Sequence, residues 1–378
     1  MDTFAEYVKN RPETVLLELY PGAGEWCVEG PEGKFVHELV IPFVRTSHNG
    51  PEARLFSPPA DQPTHAAPSL PRKGLPRTFP PGSEWLYVKF YCGLANADRL
   101  LLGLVTPLVR QALHSQAADG WFFIRYADPD PHLRVRFHGA PQRLLLEVLA
   151  EIRAQAEKHL RAGLLHRLEI CTYEREVERY GGPEGMLLCE QLFQADSEAV
   201  IGILGGLTGD AGAQARWKLA LIGASRLLGD LALENPTALA LLTRLKEGYF
   251  QEFGGTVALK KALGGRYRKE RAAVETLLEM GESGDPSMIP GLRVLEERSR
   301  KMAPVIAALR KKRRQGHITV SLPDLAASLL HMHINRMVRA RARAHEAVLY
   351  TFLAQACESR MARLKKEANR TERLEAVL

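Results

Sequence analysis

WFFIRYADPDPHLRVRF, residues 121–137, is the stretch whose reading decides the fold. Its two ends are rich in aromatic and β-branched residues, and Asp128-Pro129-Asp130-Pro131 between them is turn chemistry, so it reads as two strands joined by a tight connection. The second strand, HLRVRFH, alternates. Leu133, Val135 and Phe137 fall on one face, and His132, Arg134, Arg136 and His138 fall on the other. Two arginines side by side on one face of a strand either meet water or lie against something anionic.

Working outward, EWLYVKFYC before this stretch and HRLEICTYE after it read as further strands. Between them lie two amphipathic helices: 94–117, with Asp98 near its start and Pro107 a point for a kink, and 141–162, with Pro141 in its first turn and Gly163 closing it. The order β-α-β-β-α-β predicts a ferredoxin-like antiparallel sheet over 83–175, covered on one face by its two helices. The first and third strands are then central, the second and fourth are edges, and the arginines face away from the helices. Residues 184–378 read almost wholly as helix, near 184–204, 213–233, 236–262, 266–281, 287–312 and from 322 onward. Ser321-Leu322-Pro323-Asp324 opens the last of these, with Ser321 as N-cap and Asp324 at the capping-box position. An unbroken helix from there to 378 would be about 80 Å long, so a bend or a frayed end is expected. So large a helical part must bury its own apolar stripes, and the arginine face of the sheet is where it can dock or form a cleft wall.

The fold class is therefore α+β: a short β-rich piece at 1–45, a linker at 46–82 holding nine of the 23 prolines, and a main body at 83–378. Within 1–45, Gly30-Pro31-Glu32-Gly33 reads as the centre of a hairpin. The composition is that of a globular protein, 46% hydrophobic and 25% charged. No apolar run is long enough for a membrane span and the first residues have no signal-peptide core, which points to the cytoplasm. Five scattered cysteines in no paired motif fit free thiols and argue against a zinc site. The net charge of +7 is concentrated in blocks such as 310–314. The plain reading of such blocks is a solvated helix face, and no aromatic platform accompanies them to stack RNA bases.

No phosphate-binding loop, nucleophile elbow or HExxH helix is present. His331 and His333 in LLHMHINR are two residues apart on a helix and diverge, a poor metal pair; Ser328, His331 and Asn335 share a face instead. A lone histidine on an apolar helix is more often a core residue than a catalyst. YEREVERYGG, 173–182, could pair Glu176 with Arg179 at the end of the fourth strand, or simply face solvent. Two arginines on a central strand suit a carboxylate, which a guanidinium binds bidentately.

Together these motifs resemble the lantibiotic dehydratases, specifically the small C-terminal glutamate-elimination domain that also occurs as a separate protein in thiopeptide-type clusters. WLYVKFY, WFFIRYADPDPHLRVRF, TYEREVERYGG, LFQADS and SLLHMHINR carry the resemblance, in order, over about 84–340. GEWCVEGPEGKFVHELVIPF, 24–43, is similar to the end of the large glutamylation domain, the rest of which is absent. The resemblance implies the elimination half of a split dehydratase. It would remove glutamate from glutamylated Ser or Thr of a precursor peptide, leaving dehydroalanine or dehydrobutyrine. It implies catalytic roles for Arg134, Arg136, Glu176, Arg179 and His331, and substrate contacts for Arg125, His132, His333 and Asn335, with His333 the alternative to His331. No cofactor or metal is implied. The expected partners are the glutamylated peptide and a separate tRNA-dependent glutamylating protein, with no direct need for tRNA here; a homodimer is compatible. A pyridine-forming enzyme of the same superfamily and a non-catalytic scaffold are the alternatives.

Overall fold

The structure is a computed structural model that describes residues 28–30, 33–35, 75–207, 209–280 and 286–375. The chain divides into two units, 1–70 and 71–378. In the first, strands β1 (Val28–Gly30) and β2 (Gly33–Phe35) pair antiparallel, with Val28 opposite Phe35 and Gly30 opposite Gly33. This is the hairpin expected around Gly-Pro-Glu-Gly. The remainder of the 1–45 piece and the linker through 74 lie outside the described residues. The end of the proline-rich stretch does not: β3 (Thr78–Phe79) belongs to the second unit and pairs there with β8 (Tyr173–Glu174).

The second unit is built on a four-stranded antiparallel sheet of β4 (Trp85–Tyr91), β5 (Gly120–Tyr126), β6 (His132–His138) and β7 (Arg167–Cys171). Its order is β5-β6-β4-β7, so the strand carrying the two arginines is central. Register sets Arg136 opposite Tyr87 on one side and Phe122 on the other, and Arg134 opposite Lys89 and Ile124. Two helices connect the strands, α1 over 97–114 and α2 over 141–161. Pro107 brings no N–H to the α1 ladder. Ahead of it the turn Leu101–Val105 widens to π geometry, and the Thr106 hydroxyl donates to the Leu101 carbonyl at 2.8 Å. One sheet face, with Val88, Phe90, Phe123, Leu133, Val135 and Phe137, packs into a core with Leu100, Leu104 and Leu108 of α1 and Val148 and Ile152 of α2. The arginines thus sit on the opposite face, as the alternation in HLRVRFH predicts.

That opposite face is not open. Helix α3 (Pro183–Gly206) lies against it, with Phe193 and Phe122 rings 5.3 Å apart and Tyr173 donating to buried Glu190 at 2.9 Å. The helical part continues as α4 (Gly209–Asp230), α5 (Asn235–Glu252), α6 (Val257–Met280), α7 (Ile289–Arg314), α8 (Leu322–Met337) and α9 (Ala342–Glu375). Among the described residues no helix is long and apolar enough to cross a membrane.

One boundary differs from expectation, and a second break is the bend that the length of the last helix called for. The break expected at Gly264-Gly265 lies at Gly254-Gly255, whose φ values are +87° and +58°. There the chain closes α5 with a pair of bonds from Gly254 N–H to the Gln251 carbonyl and from Gly255 N–H to the Phe250 carbonyl, while Gly264 and Gly265 stay inside α6. The second break separates α8 from α9 at Val338–Arg341, where the sequence has neither Gly nor Pro. The cause is tertiary. Arg125 and Arg216 donate to the carbonyls of Arg336 and Met337, satisfying helix-end acceptors from outside, and both guanidiniums are held by Asp98. Helix α8 opens as expected, with the Ser321 hydroxyl accepting from Asp324 N–H at 3.2 Å.

Candidate functional site

Arg136 is 7% exposed and lies in a box of rings: its guanidinium carbon is 4.3 Å from the centre of Tyr87, 4.7 Å from Tyr173 and 5.1 Å from Phe122. Among the described residues it forms no ion pair, and its Nε has no hydrogen-bond partner. Burial pushes its pKa down; the Tyr173 and Tyr87 hydroxyls and the more distant Glu176 oppose that shift. Leaving a buried charge without a partner costs about 3–5 kcal/mol, against about 0.5–2 kcal/mol from a ring-face contact. The rings hold the guanidinium in place without neutralising it.

Arg134, next along the face, is half-buried over the Tyr126 ring at 3.5 Å, and its Nε donates to His132 Nε2 at 3.0 Å. His132 is buried. Its Nδ1 lies 2.7 Å from the Asp130 carbonyl, so the proton on Nδ1 leaves Nε2 free to accept from Arg134. Burial lowers the His132 pKa, which favours that neutral tautomer. His132 therefore orients Arg134. Lys89 stands directly across from Arg134 on β4. Like charges opposite one another in a sheet repel, and Glu169 of β7, which stands across from Lys89 on its other side, is bonded to Arg167 at 3.0 Å and accepts from the Tyr91 hydroxyl at 3.0 Å. Besides Arg167 at its far edge, the face carries Arg134, Arg136 and Lys89, and of these three Lys89 is the one the sequence reading missed. The period-2 pattern of WLYVKFY, set beside HLRVRFH, would have found it.

Glu176 and Arg179 pair at 2.8 Å in the turn after β8 and also face solvent, so both readings of this stretch hold. The turn is pinned by its glycines. Gly181 has φ +84°, and a Cβ there would stand 2.6 Å from Ile318; its carbonyl accepts from Thr319 N–H at 3.0 Å. This ties ERYGG to the segment leading into α8. Arg179 Nε reaches the Ser328 hydroxyl of α8 at 3.4 Å, and His331, one turn further, bonds through Nδ1 to Glu346 Oε1 at 2.7 Å. Contacts thus run from Glu176 through Arg179 to the face of α8 that bears His331.

Three expected substrate contacts are taken up by the protein itself. Arg125 is spent on Asp98 and the end of α8. Asn335 covers the edge of β5, its amide oxygen accepting from Arg125 N–H and its nitrogen donating to the Arg125 carbonyl, both at 2.9 Å. Arg336 and Ser197 do the same for the carbonyl and N–H of Phe123. His333 is 1% exposed and bonds Asp196 Oδ1 at 2.8 Å, in a cluster where Asp196 also pairs with Arg298 and Arg336. Burial pushes the His333 pKa down, so it is a neutral core histidine. The sequence could not separate it from His331, because two residues of spacing decide only that the pair diverges.

Residues 85–357 match the family described as lantibiotic biosynthesis dehydratase C-term, and the chain belongs to that family. The subtilin biosynthesis protein SpaB of Bacillus subtilis is 33% identical over 166 residues, 43% of this chain and 15% of that protein. The nisin biosynthesis protein NisB of Lactococcus lactis subsp. lactis is 31% identical over 176 residues, 47% and 16% of the two chains. The chain therefore matches about a sixth of the length of these relatives. Among solved structures, the tRNA-dependent lantibiotic dehydratase MibB from Microbispora sp. 107891 superposes with a TM-score of 0.61 at 27% identity, covering 80% of this chain and 29% of that one. TbtD, the pyridine synthase from thiomuracin biosynthesis, shares the fold at a TM-score of 0.55 and 19% identity, covering 73% of this chain and 98% of that one.

Proposed function

We propose that the chain eliminates glutamate from glutamylated Ser or Thr residues of a ribosomally made precursor peptide, as the elimination half of a split dehydratase built on a ferredoxin-like sheet. The observation that carries this is Arg136: a buried guanidinium, fixed by three rings, with no ion pair among the described residues. A glutamyl ester supplies one carboxylate on binding and releases a second on cleavage. In the reaction a base takes the Cα proton, the Cα–H electron pair becomes the Cα=Cβ bond, and the Cβ–O bond breaks with its electrons leaving on the glutamate carboxylate. Arg136, Arg134 and Lys89 stabilise the carboxylates and the enolate-like charge; an imidazole near neutral pH can carry the proton. Expelling a carboxylate is far easier than expelling hydroxide, which is why a separate glutamylating partner acts first. Pyridine formation joins two dehydroalanines and leaves Arg134, Arg136 and Lys89 without a substrate carboxylate to bind, so it fits less well despite the shared fold. The test is to incubate the chain with a glutamylated precursor peptide. Mass spectrometry should show loss of glutamic acid from each adduct; an adduct that persists through long incubation refutes the proposal.

A further inference from the structure

Helix α9 begins with a carboxylate that neither charge pattern nor motif singles out. Glu346 is fully buried at 0% exposure. Its Oε1 accepts from Tyr350 Oη at 3.1 Å and faces His331 Nδ1 at 2.7 Å, while Arg343 Nη1 stands 3.8 Å from Oε2 and donates to Tyr249 Oη at 2.6 Å. Burial, and then the charge of Glu346, push the Tyr350 and Tyr249 hydroxyls up, so both remain protonated. His331 itself is a quarter exposed, at 25% of its side chain. One nitrogen of its ring thus faces Glu346, while the ring as a whole stays a quarter exposed on the α8 face that Ser328 shares.

We infer that Glu346 is a positioning residue: it holds His331 as the Nδ1–H tautomer, so that Nε2 presents its lone pair to the substrate and takes the Cα proton. A carboxylate can only accept from a neutral imidazole, so contact with Nδ1 places the proton there and leaves Nε2 basic. As His331 gains the Cα proton on Nε2, the buried charge of Glu346 stabilises the imidazolium that forms. Tyr350 fixes the carboxylate in turn. The arrangement has the logic of a hydrolase base and its orienting carboxylate, applied to carbon acidity. It rests on the elimination reading for its substrate but not for its geometry.

Two measurements keep the two separate. The first needs no turnover. Nitrogen-15 NMR of the full chain, with His331 assigned by comparison with His331→Gln, should show Nδ1 protonated and Nε2 bare at neutral pH; Nε2 protonation would overturn the inference even if elimination is found. The second uses Glu346→Gln and Tyr350→Phe with the glutamylated peptide. Glu346→Gln should cut kcat at least tenfold with KM within threefold, and Tyr350→Phe should cut it less. A pure packing role would instead lower Tm and leave kcat of the folded fraction near wild type, and that result refutes the proposal. Should Glu346→Gln not fold, Tyr350→Phe and the tautomer decide. Wild type that never releases glutamate refutes the functional proposal, while the tautomer still tests the dyad.

Discussion

At the scale of single residues, Arg136 shows why an unpaired charge is informative. Its alternation partners could be read from HLRVRF, and its burial could not, because the rings around it come from β4, β5 and β8. If it awaits a carboxylate, its removal should separate stability from activity. Arg136→Met removes a buried charge and keeps the volume, so Tm should be no lower than wild type while glutamate release falls by tens-fold or more, the loss of a desolvated charge-assisted contact being about 2–5 kcal/mol. Arg136→Lys should rescue poorly, since an ammonium makes no bidentate pair. Lys89→Ala should weaken binding of the glutamylated peptide with a smaller loss of kcat. Kinetics and a melting curve on the three variants check all of this.

At the scale of elements, α8 is the organiser. Its start was legible from Ser321 and Asp324, but its end was not, because the residues that stop it lie at 125 and 216 in the chain. The same holds for its polar side chains. Asn335 looked like a ligand contact and is a strand cover; Asn335→Leu should cost about 2–4 kcal/mol in chemical denaturation, through two unsatisfied backbone groups on Arg125. Asp196, visible in LFQADS without a role, is the hub that joins α3 to α7 and α8. Burial alone would raise its pKa; the hydrogen bond from His333 and the charges of Arg336 and Arg298 outweigh that and hold it well below the usual carboxylate range. Both Asp196 and His333 have lowered folded values, so in both windows the unfolded chain binds the proton first. Stability should therefore fall as pH drops below about 6.5, where unfolded histidine titrates, and fall again below about 4. Melting curves from pH 8 to 3 should show both declines, and His333→Gln should remove the first.

At the scale of the whole molecule, the α+β division, the central arginine strand and the order of helices were legible because hydrophobic period and turn residues are local signals. The docking of α3 onto the arginine face was not, because it depends on which of several apolar helices wins the sheet. The proposed elimination function carries an expectation about dependence: with glutamyl-tRNA and unmodified precursor peptide alone, this chain should form no dehydroamino acids. Adding a glutamylating partner should restore dehydration, and peptide mass spectra read both outcomes.

The covered edge of β5 has a consequence for synthesis. The side chains that shield its backbone come from Ser197, Asn335 and Arg336, the last two separated from the strand by 210 and 213 residues. At a ribosomal pace of about 5–20 residues per second, roughly 10–40 s pass between emergence of the strand and arrival of its cover. Through that interval the nascent sheet has a bare, aromatic-rich rim able to recruit another chain. Covering a sheet edge with distant parts leaves a period of exposure that falls to chaperones, or to an early-docking α3, to bridge.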